Sequence, residues 1–559
     1  MELRDVRRNP QVFFLFFVLF LIFFPLSSVF YQSLFTGPFF FEGVQFNPIA
    51  NYVGVFTSPL LQSTMLNTLI LSVFGTALAV LIGTTFALLI HRTDLPFKSL
   101  FQVLSFMPLV VSGLTSALGF VFTVGDVGYL TLWWEGTLGF PRLWDIYGIA
   151  GITIISAISH APITYLYVSS SLLMMDSSLE ESAIVMGAGR FRTLLTVTLP
   201  MAKSAILFGA ILTIIGSFEQ FSIPFALGGK RGILVFATWV YTQLPSMQWG
   251  SVAAASTLIM IVMICLIVAQ KRYLGPLHRY VTVRGGTRHG RVIELGLWKF
   301  PIAIMLLLFV LGAIVVPIAG VVYRSFVALW LPSANQWDLM TLSNYVDIFS
   351  LELYKLAILN SMLVSIGGAT IGIVFFAFVA YFAYKGASKT LGAVMETVST
   401  FPIAVPSVIM GIGVLWAWGR VPFMHNSFWI FIIAYVSRYI PSGMRAIGPN
   451  VIQLSRDMEE ASIISGASWL RTFRSITFPL MRPGMAFGWL LLFVTILKEL
   501  SMAIFLQGPE TKLIATVIAY ALEMGKMGGL GLMGALSTFE MVVSVSIFLL
   551  VTRIFRVKF

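Results

Sequence analysis

Two apolar runs of this chain carry charge where charge is expensive. SFEQFSIPFAL (217–227) and ILKELSMAIFL (496–506) are related by an offset of 279 residues, which sets Glu219 opposite Lys498, Gln220 opposite Glu499 and Ser222 opposite Ser501. A charge inside an apolar span costs on the order of several kcal/mol unless it is paired or faces a polar cavity. Polar clusters at matched depth on two related spans suit a translocation-pathway constriction between two halves. The simpler alternative is a Lys498–Glu219 or Lys498–Glu499 interaction that only locks helices together. His160, beside Pro162, falls opposite Tyr439, beside Pro441, and is expected to be a packed residue at a helix kink rather than a metal ligand. Arg438 is expected to snorkel to the cytoplasmic interface. Catalytic chemistry finds little support. Cys265 is the single cysteine, which excludes a disulfide framework and a Cys-based metal cluster. GGKRG (228–232) and MGKMGG (524–529) contain Gly-Lys but lack the G-x-x-x-x-G-K-[ST] pattern that cradles phosphate. No firm metal site and no cofactor are expected.

The elements that position these residues follow from composition. The chain has 559 residues, 58% hydrophobic and 10% charged, with a mean hydropathy of +0.93. A soluble core cannot absorb that excess and a disordered chain would show its opposite, so the fold class is an all-α polytopic membrane protein. Spans of about 20 apolar residues are expected roughly at 11–33, 64–90, 99–124, 147–173, 203–225, 252–270, 298–322, 357–384, 391–418, 427–447, 483–506 and 533–552, about twelve in all. The first follows Arg4, Arg7 and Arg8 but is too long for a cleaved signal peptide, and its Phe-rich run reads as a lipid-facing peripheral helix. The net charge is +12. Most basic residues, among them Arg92, Arg192, Lys385 and Arg474, fall in segments that alternate onto one side. This is the positive-inside pattern, with both termini cytoplasmic, and nucleic acid is not needed to explain it.

The chain repeats itself. NTLILSVFGTALAVLIG, from Asn67, parallels NSMLVSIGGATIGIVFF, from Asn360, and SFMPLVVSGL (105–114) parallels TFPIAVPSVI (400–409). The halves are expected at 1–272 and 298–559, joined by a basic cytoplasmic linker at 273–297. Six spans per half make the repeat parallel, related by a pseudo-twofold axis along the membrane normal. Trp133 and Trp134 suit an external interfacial belt.

Each half also carries one long cytoplasmic loop. DSSLEESAIVMGAGRFRTLLTVTLP (176–200) and the loop at 455–479, which contains RDMEEASIISGASWLRTFRSITFP, match at the same offset of 279. The acidic pairs Glu180–Glu181 and Glu459–Glu460 suit a helix N-terminus that Asp176 or Asp457 caps, followed by Ala183 and Ala461. Gly187 and Gly466 end that helix. A short second helix follows, with Arg190 and Arg192, or Arg471 and Arg474, on a solvated face. Pro200 and Pro479 then open the next span, so each loop is a helix–turn–helix bracket.

This pattern resembles the EAA motif of ATP-binding-cassette (ABC) importer permeases: E-A-A, three residues, G, nine residues, I-x-L-P. It departs at Ser182, Val197, Ser462 and Phe478. The resemblance implies a fused, two-half permease of a binding-protein-dependent importer in the cell inner membrane. It implies that the brackets are coupling helices for a separate ABC ATPase subunit, in two copies, and that a periplasmic or extracellular solute-binding protein delivers the cargo. It also implies alternating access, with no enzyme activity in this chain. The stretch beginning LKELSMAIFLQGPETK is similar to ferric-iron permeases of this type, with relatives handling thiamine or aminoethylphosphonate as alternatives. With ferric iron as cargo, Glu219, Glu499 and Glu540 are the hard oxygen donors available in transit. With an anion, Lys498 and Arg438 would serve instead. A twelve-span secondary transporter would share the topology but leaves the duplicated brackets unexplained.

Overall fold

Long apolar runs fold here as long helices, and the two halves lay them down in the same order. The structure, a computed structural model, describes residues 2–176, 178–274, 293–329, 336–524 and 529–555. Most of the linker expected at 273–297 and of MGKMGG therefore lies outside the described residues. The first half comprises α1 (Glu2–Gln32), α2 (Pro59–Arg92), α3 (Lys98–Val110), α4 (Gly113–Val124), α5 (Ile149–Met174), α6 (Ser178–Val185), α7 (Leu199–Phe218), α8 (Ser222–Gly228) and α9 (Trp249–Leu274). The second repeats it with α10 (Gly296–Ser325), α11 (Glu352–Lys385), α12 (Lys389–Thr400), α13 (Ser407–Trp418), α14 (Phe428–Gln453), α15 (Arg456–Ile464), α16 (Phe478–Leu497), α17 (Ala503–Leu506) and α18 (Leu530–Phe555). In each half the central packing is α2 with α5 and α7, or α11 with α14 and α16.

Among the described residues ten helices are long and apolar enough to span a membrane, or eleven if the bent pair formed by α12, its 3₁₀ extension and α13 counts as one. That is fewer than the twelve expected. Helix α14 is long but carries Arg438 and Arg445, and it is not among them. Four expected continuous spans are broken instead. The span at 99–124 breaks between α3 and α4, where the Ser112 side chain accepts from the Thr115 N–H and starts a new helix. Its repeat at 391–418 bends by 104° between residues 404 and 407, next to Pro402 and Pro406, which cannot donate to a helical ladder. The spans at 203–225 and 483–506 break after Phe218 and Leu497, at the polar residues themselves.

The first helix of each half packs on the other half. Gln11 Nε2 on α1 donates to the carbonyls of Phe382 (3.0 Å) and Ser388 (2.9 Å), and Ser28 Oγ donates to that of Gly413 (2.9 Å). Gly413 allows this approach, since a Cβ there would stand 2.7 Å from the Pro25 carbonyl oxygen. The mirror contact repeats it: a Cβ on Gly119 of α4 would meet the Pro317 oxygen of α10 at 2.5 Å. Buried Ala303, Leu306, Val310 and Ile314 of α10 accordingly share a core with first-half Phe86, Phe101 and Tyr165. Helix α1 is thus only partly lipid-facing. Phe13 and Phe16 are exposed, whereas Val18, Ile22 and Val29 are fully buried and Phe14 stacks on Phe378 and Phe382.

Candidate functional site

A broken helix leaves orphan N–H groups at one end of the break and orphan carbonyls at the other, and inside a membrane each needs a partner. The charges of the two polar runs supply them across the boundary between halves. Glu219 is the C-cap of α7. Its Oε2 accepts from the Ser407 N–H (3.2 Å) and Oγ (3.3 Å) at the start of α13, and pairs with Arg438 Nη2 at 2.6 Å. Arg438 completes the node, donating through Nη1 to the Pro402 carbonyl (2.7 Å) and through Nε to Ser407 Oγ (3.3 Å). It is 8% exposed. Arg438 is therefore a buried crossing residue and does not snorkel, because its whole fork is taken up inside the protein.

Lys498, the C-cap of α16, performs the complementary task. Its Nζ donates to the Leu109 carbonyl at the end of α3, and it faces Glu540 of α18, which in turn faces Ser112. An acid thus meets the N–H side of one break and a base meets the carbonyl side of the other, each favourable to the local helix dipole. Lys498 forms neither of the pairs expected for it. Glu499 accepts from the N–H groups of Met502 (3.0 Å) and Ala503 (3.1 Å) and faces Tyr435 and Tyr439. Ser501 lies in that same turn, and Ser222 packs against Gly113. Among the described contacts Gln220 joins neither node. Ser112, Ser407 and Pro402 were legible only as parts of the repeated SFMPLVVSGL and TFPIAVPSVI segments.

The brackets are built identically. Helix α6 ends at Gly187 (φ +88°) and α15 at Gly466 (φ +85°), a left-handed conformation that costs an L-residue roughly 1–2 kcal/mol. The Ala188 N–H reaches the Ala183 carbonyl (3.0 Å) and the Ala467 N–H reaches that of Ser462 (3.1 Å), which closes each helix end. One π-helical turn follows in each, Leu194–Thr198 and Phe473–Thr477, just before Pro200 and Pro479. A third π turn, Leu311–Val315, likewise precedes Pro317. Proline lacks an N–H and crowds the preceding carbonyls, so widening the helix by one residue relieves it.

The π turn of each bracket aims a threonine at that bracket's first glutamate. Thr198 Oγ1 donates to Glu180 Oε1, and Thr477 Oγ1 to Glu459 Oε1, both at 2.7 Å. Glu180 and Glu459 are buried, while Glu181 and Glu460 are exposed. Arg92, at the end of α2, lies 3.7 Å from Glu180 and donates to the Leu172 carbonyl (2.9 Å). Lys385, at the end of α11, donates to the Leu454 carbonyl. Both bases were legible only as topology charges. Asp176 accepts from the Ser178 N–H (3.0 Å) as expected, but the second bracket is capped by Ser455 rather than Asp457, because Ser455 occupies the position equivalent to Asp176. Ala183 is buried, whereas Ala461 and Pro200 are exposed and Pro479 is half-buried. The tip is apolar and open to solvent, with Val185 87%, Met186 82% and Ile464 86% exposed.

Comparison with known proteins agrees with this duplicated build. The family model described as "Binding-protein-dependent transport system inner membrane component" matches residues 75–279 and again 373–557. The chain is 26% identical over 522 residues to the Ferric transport system permease protein FbpB of Actinobacillus pleuropneumoniae, covering 91% of this chain and 73% of that protein. It is 26% identical over 502 residues to the Putative ferric transport system permease protein FbpB 1 of Haemophilus influenzae, covering 89% and 77%. It is 28% identical over 228 residues to the Molybdenum transport system permease protein ModB of Escherichia coli (strain K12), covering 39% of this chain and 94% of that protein.

Proposed function

Because this chain belongs to the family of binding-protein-dependent transport system inner membrane components, we propose that it is the fused membrane subunit of an ABC importer for ferric iron. Two ATPase subunits dock one under each bracket, and a solute-binding protein delivers cargo from outside. The halves, 1–272 and 298–559 joined by the linker at 273–297, alternate access along the boundary between them. Both termini lie in the cytoplasm of an inner membrane, as the clustering of basic residues supports. The crossing residues Glu219, Gln220, Ser222, Lys498, Glu499 and Ser501 line the pathway, and ATP hydrolysis belongs to the partner.

The observation that carries the reading is the pair of brackets. Each is closed on itself by a buried glutamate–threonine bond of 2.7 Å. Each presents almost fully exposed apolar residues, Val185 and Ile464 at equivalent positions, which a water-facing loop has no reason to expose unless a partner covers them. The cargo assignment is supported by the names of the FbpB relatives, which match most of the chain. The test is co-purification of the tagged chain with its ATPase from native membrane. V185E together with I464E should abolish recovery of the ATPase while the chain stays inserted. A double variant that keeps both ATPase and uptake would refute the docking assignment.

A further inference from the structure

The charges of the crossing differ in where their partners come from. Arg438 is held by the Pro402 carbonyl and Ser407 Oγ, both of its own half. Lys498 faces Glu540, also of its own half. Glu499 is held by the N–H groups of Met502 and Ala503. Each keeps a partner if the halves part. Glu219 does not share this property. The hydrogen-bond and ion-pair partners of its carboxylate among the described residues, the Ser407 N–H, Ser407 Oγ and Arg438, all belong to the second half. Parting of the halves therefore strips one carboxylate, and an unpaired charge in that environment needs a counter-charge.

A neighbour of the same half lies on α5, the helix that packs on α7. His160 of α5 faces Glu219, and its Nδ1 lies 2.9 Å from the Ser156 carbonyl. That carbonyl can only accept, which assigns the proton to Nδ1 and leaves the lone pair on Nε2. Gly216, three residues before Glu219 on α7, leaves space for the ring, since a Cβ there would stand 3.1 Å from Nε2. A carboxylate on α7 and an imidazole on α5 oriented by a backbone carbonyl offer one oxygen and one nitrogen donor, types that metal cations take.

We propose that Glu219 and His160 form a transient cation-binding pair, its carboxylate occupied by Arg438 and Ser407 while the halves are joined and freed when they part, which contacts a hard multivalent cation in transit. The proposal rests on the iron-importer reading and deepens it. Arg438 and Ser407 act as the returning competitors: when the halves close they retake the carboxylate, so the cation is released instead of trapped.

The test uses the complete transporter with its ATPase and binding protein. Uptake of radiolabelled Fe(III) is measured in proteoliposomes. Binding of Tb(III), a hard trivalent probe, is followed by luminescence in detergent, at rest and after trapping with ATP and vanadate. The expected result is Tb(III) binding that appears on trapping, falls about tenfold or more in E219Q and in H160Q, and is restored by E219D, with Fe(III) uptake following the same order. Wild-type vesicles that hydrolyse ATP with loaded binding protein yet accumulate no Fe(III) overturn the iron reading and the pair with it. Wild-type import with E219Q binding and importing like wild type overturns the pair alone.

Discussion

The brackets and the crossing are both duplicated by the same repeat, yet one kept its symmetry and the other reversed it. Glu180–Thr198 and Glu459–Thr477 are the same bond at the same length. Glu219 and Lys498 occupy equivalent positions with opposite charge. The difference follows from geometry. Each bracket is built within its own half and presents an exposed apolar tip, Val185 or Ile464, so nothing at the brackets requires the halves to differ. The crossing residues reach over the boundary between halves. In a dimer of identical chains that interface would be isologous, with the same side chain on both sides. A fused chain is free of that constraint. Here an acid takes the N–H end of one helix break and a base takes the carbonyl end of the other.

Reversing one charge at the crossing should have the largest effect. E219K sets a cation against Arg438 in a node that is 8% exposed at the arginine, and breaking such a pair costs about 3–5 kcal/mol. Reduced yield and a lowered melting temperature of the purified chain are expected, with partial recovery in E219K combined with R438E. If E219K alone is neutral, the ion pair is not what joins the halves. In the first bracket, E180A leaves Arg92 without its carboxylate and should expose the 176–200 loop to limited proteolysis. T198V should remove about 1 kcal/mol and T477V an equal amount, because the two bonds are equivalent. Unequal losses would break the symmetry inferred for the brackets. G187A and G466A should each cost roughly 1–2 kcal/mol of local stability, measured by hydrogen exchange in the loop. The smallest effect is expected at the solvent-exposed cluster where Asp126 bridges Arg142 (2.5 Å) and Lys230 (2.9 Å). Those side chains are largely solvated, so D126N should change stability by about 1 kcal/mol or less.

The brackets were legible because their contacts are local: an acidic pair, a glycine six or seven residues on and a proline thirteen residues further repeat as a string. Even there the roles of the two glutamates were hidden, since only the fold buries Glu180 and Glu459 and leaves Glu181 and Glu460 exposed. The crossing was legible in its residues but not in its pairing. Glu219 meets Arg438, 219 residues away, and Lys498 meets Leu109, 389 residues away. Neither partner could be chosen from periodicity. The breaks in four expected spans were hidden for a related reason: residues 99–124 and 391–418 are predominantly apolar, with Glu396 their one charged residue, and a hydropathy pattern does not register a bend.

Sequence by itself determined the membrane class, the parallel repeat, the two brackets and the positions of charge inside the apolar runs, because apolar excess and a fixed residue offset are properties of the chain alone. Only the tertiary structure decided that each half's first helix packs on the other half, that spans break where polar groups can satisfy their ends, and which charge faces which. Those outcomes depend on which backbone groups lose their helical partners and which distant side chain comes within hydrogen-bond reach of them, and packing sets both.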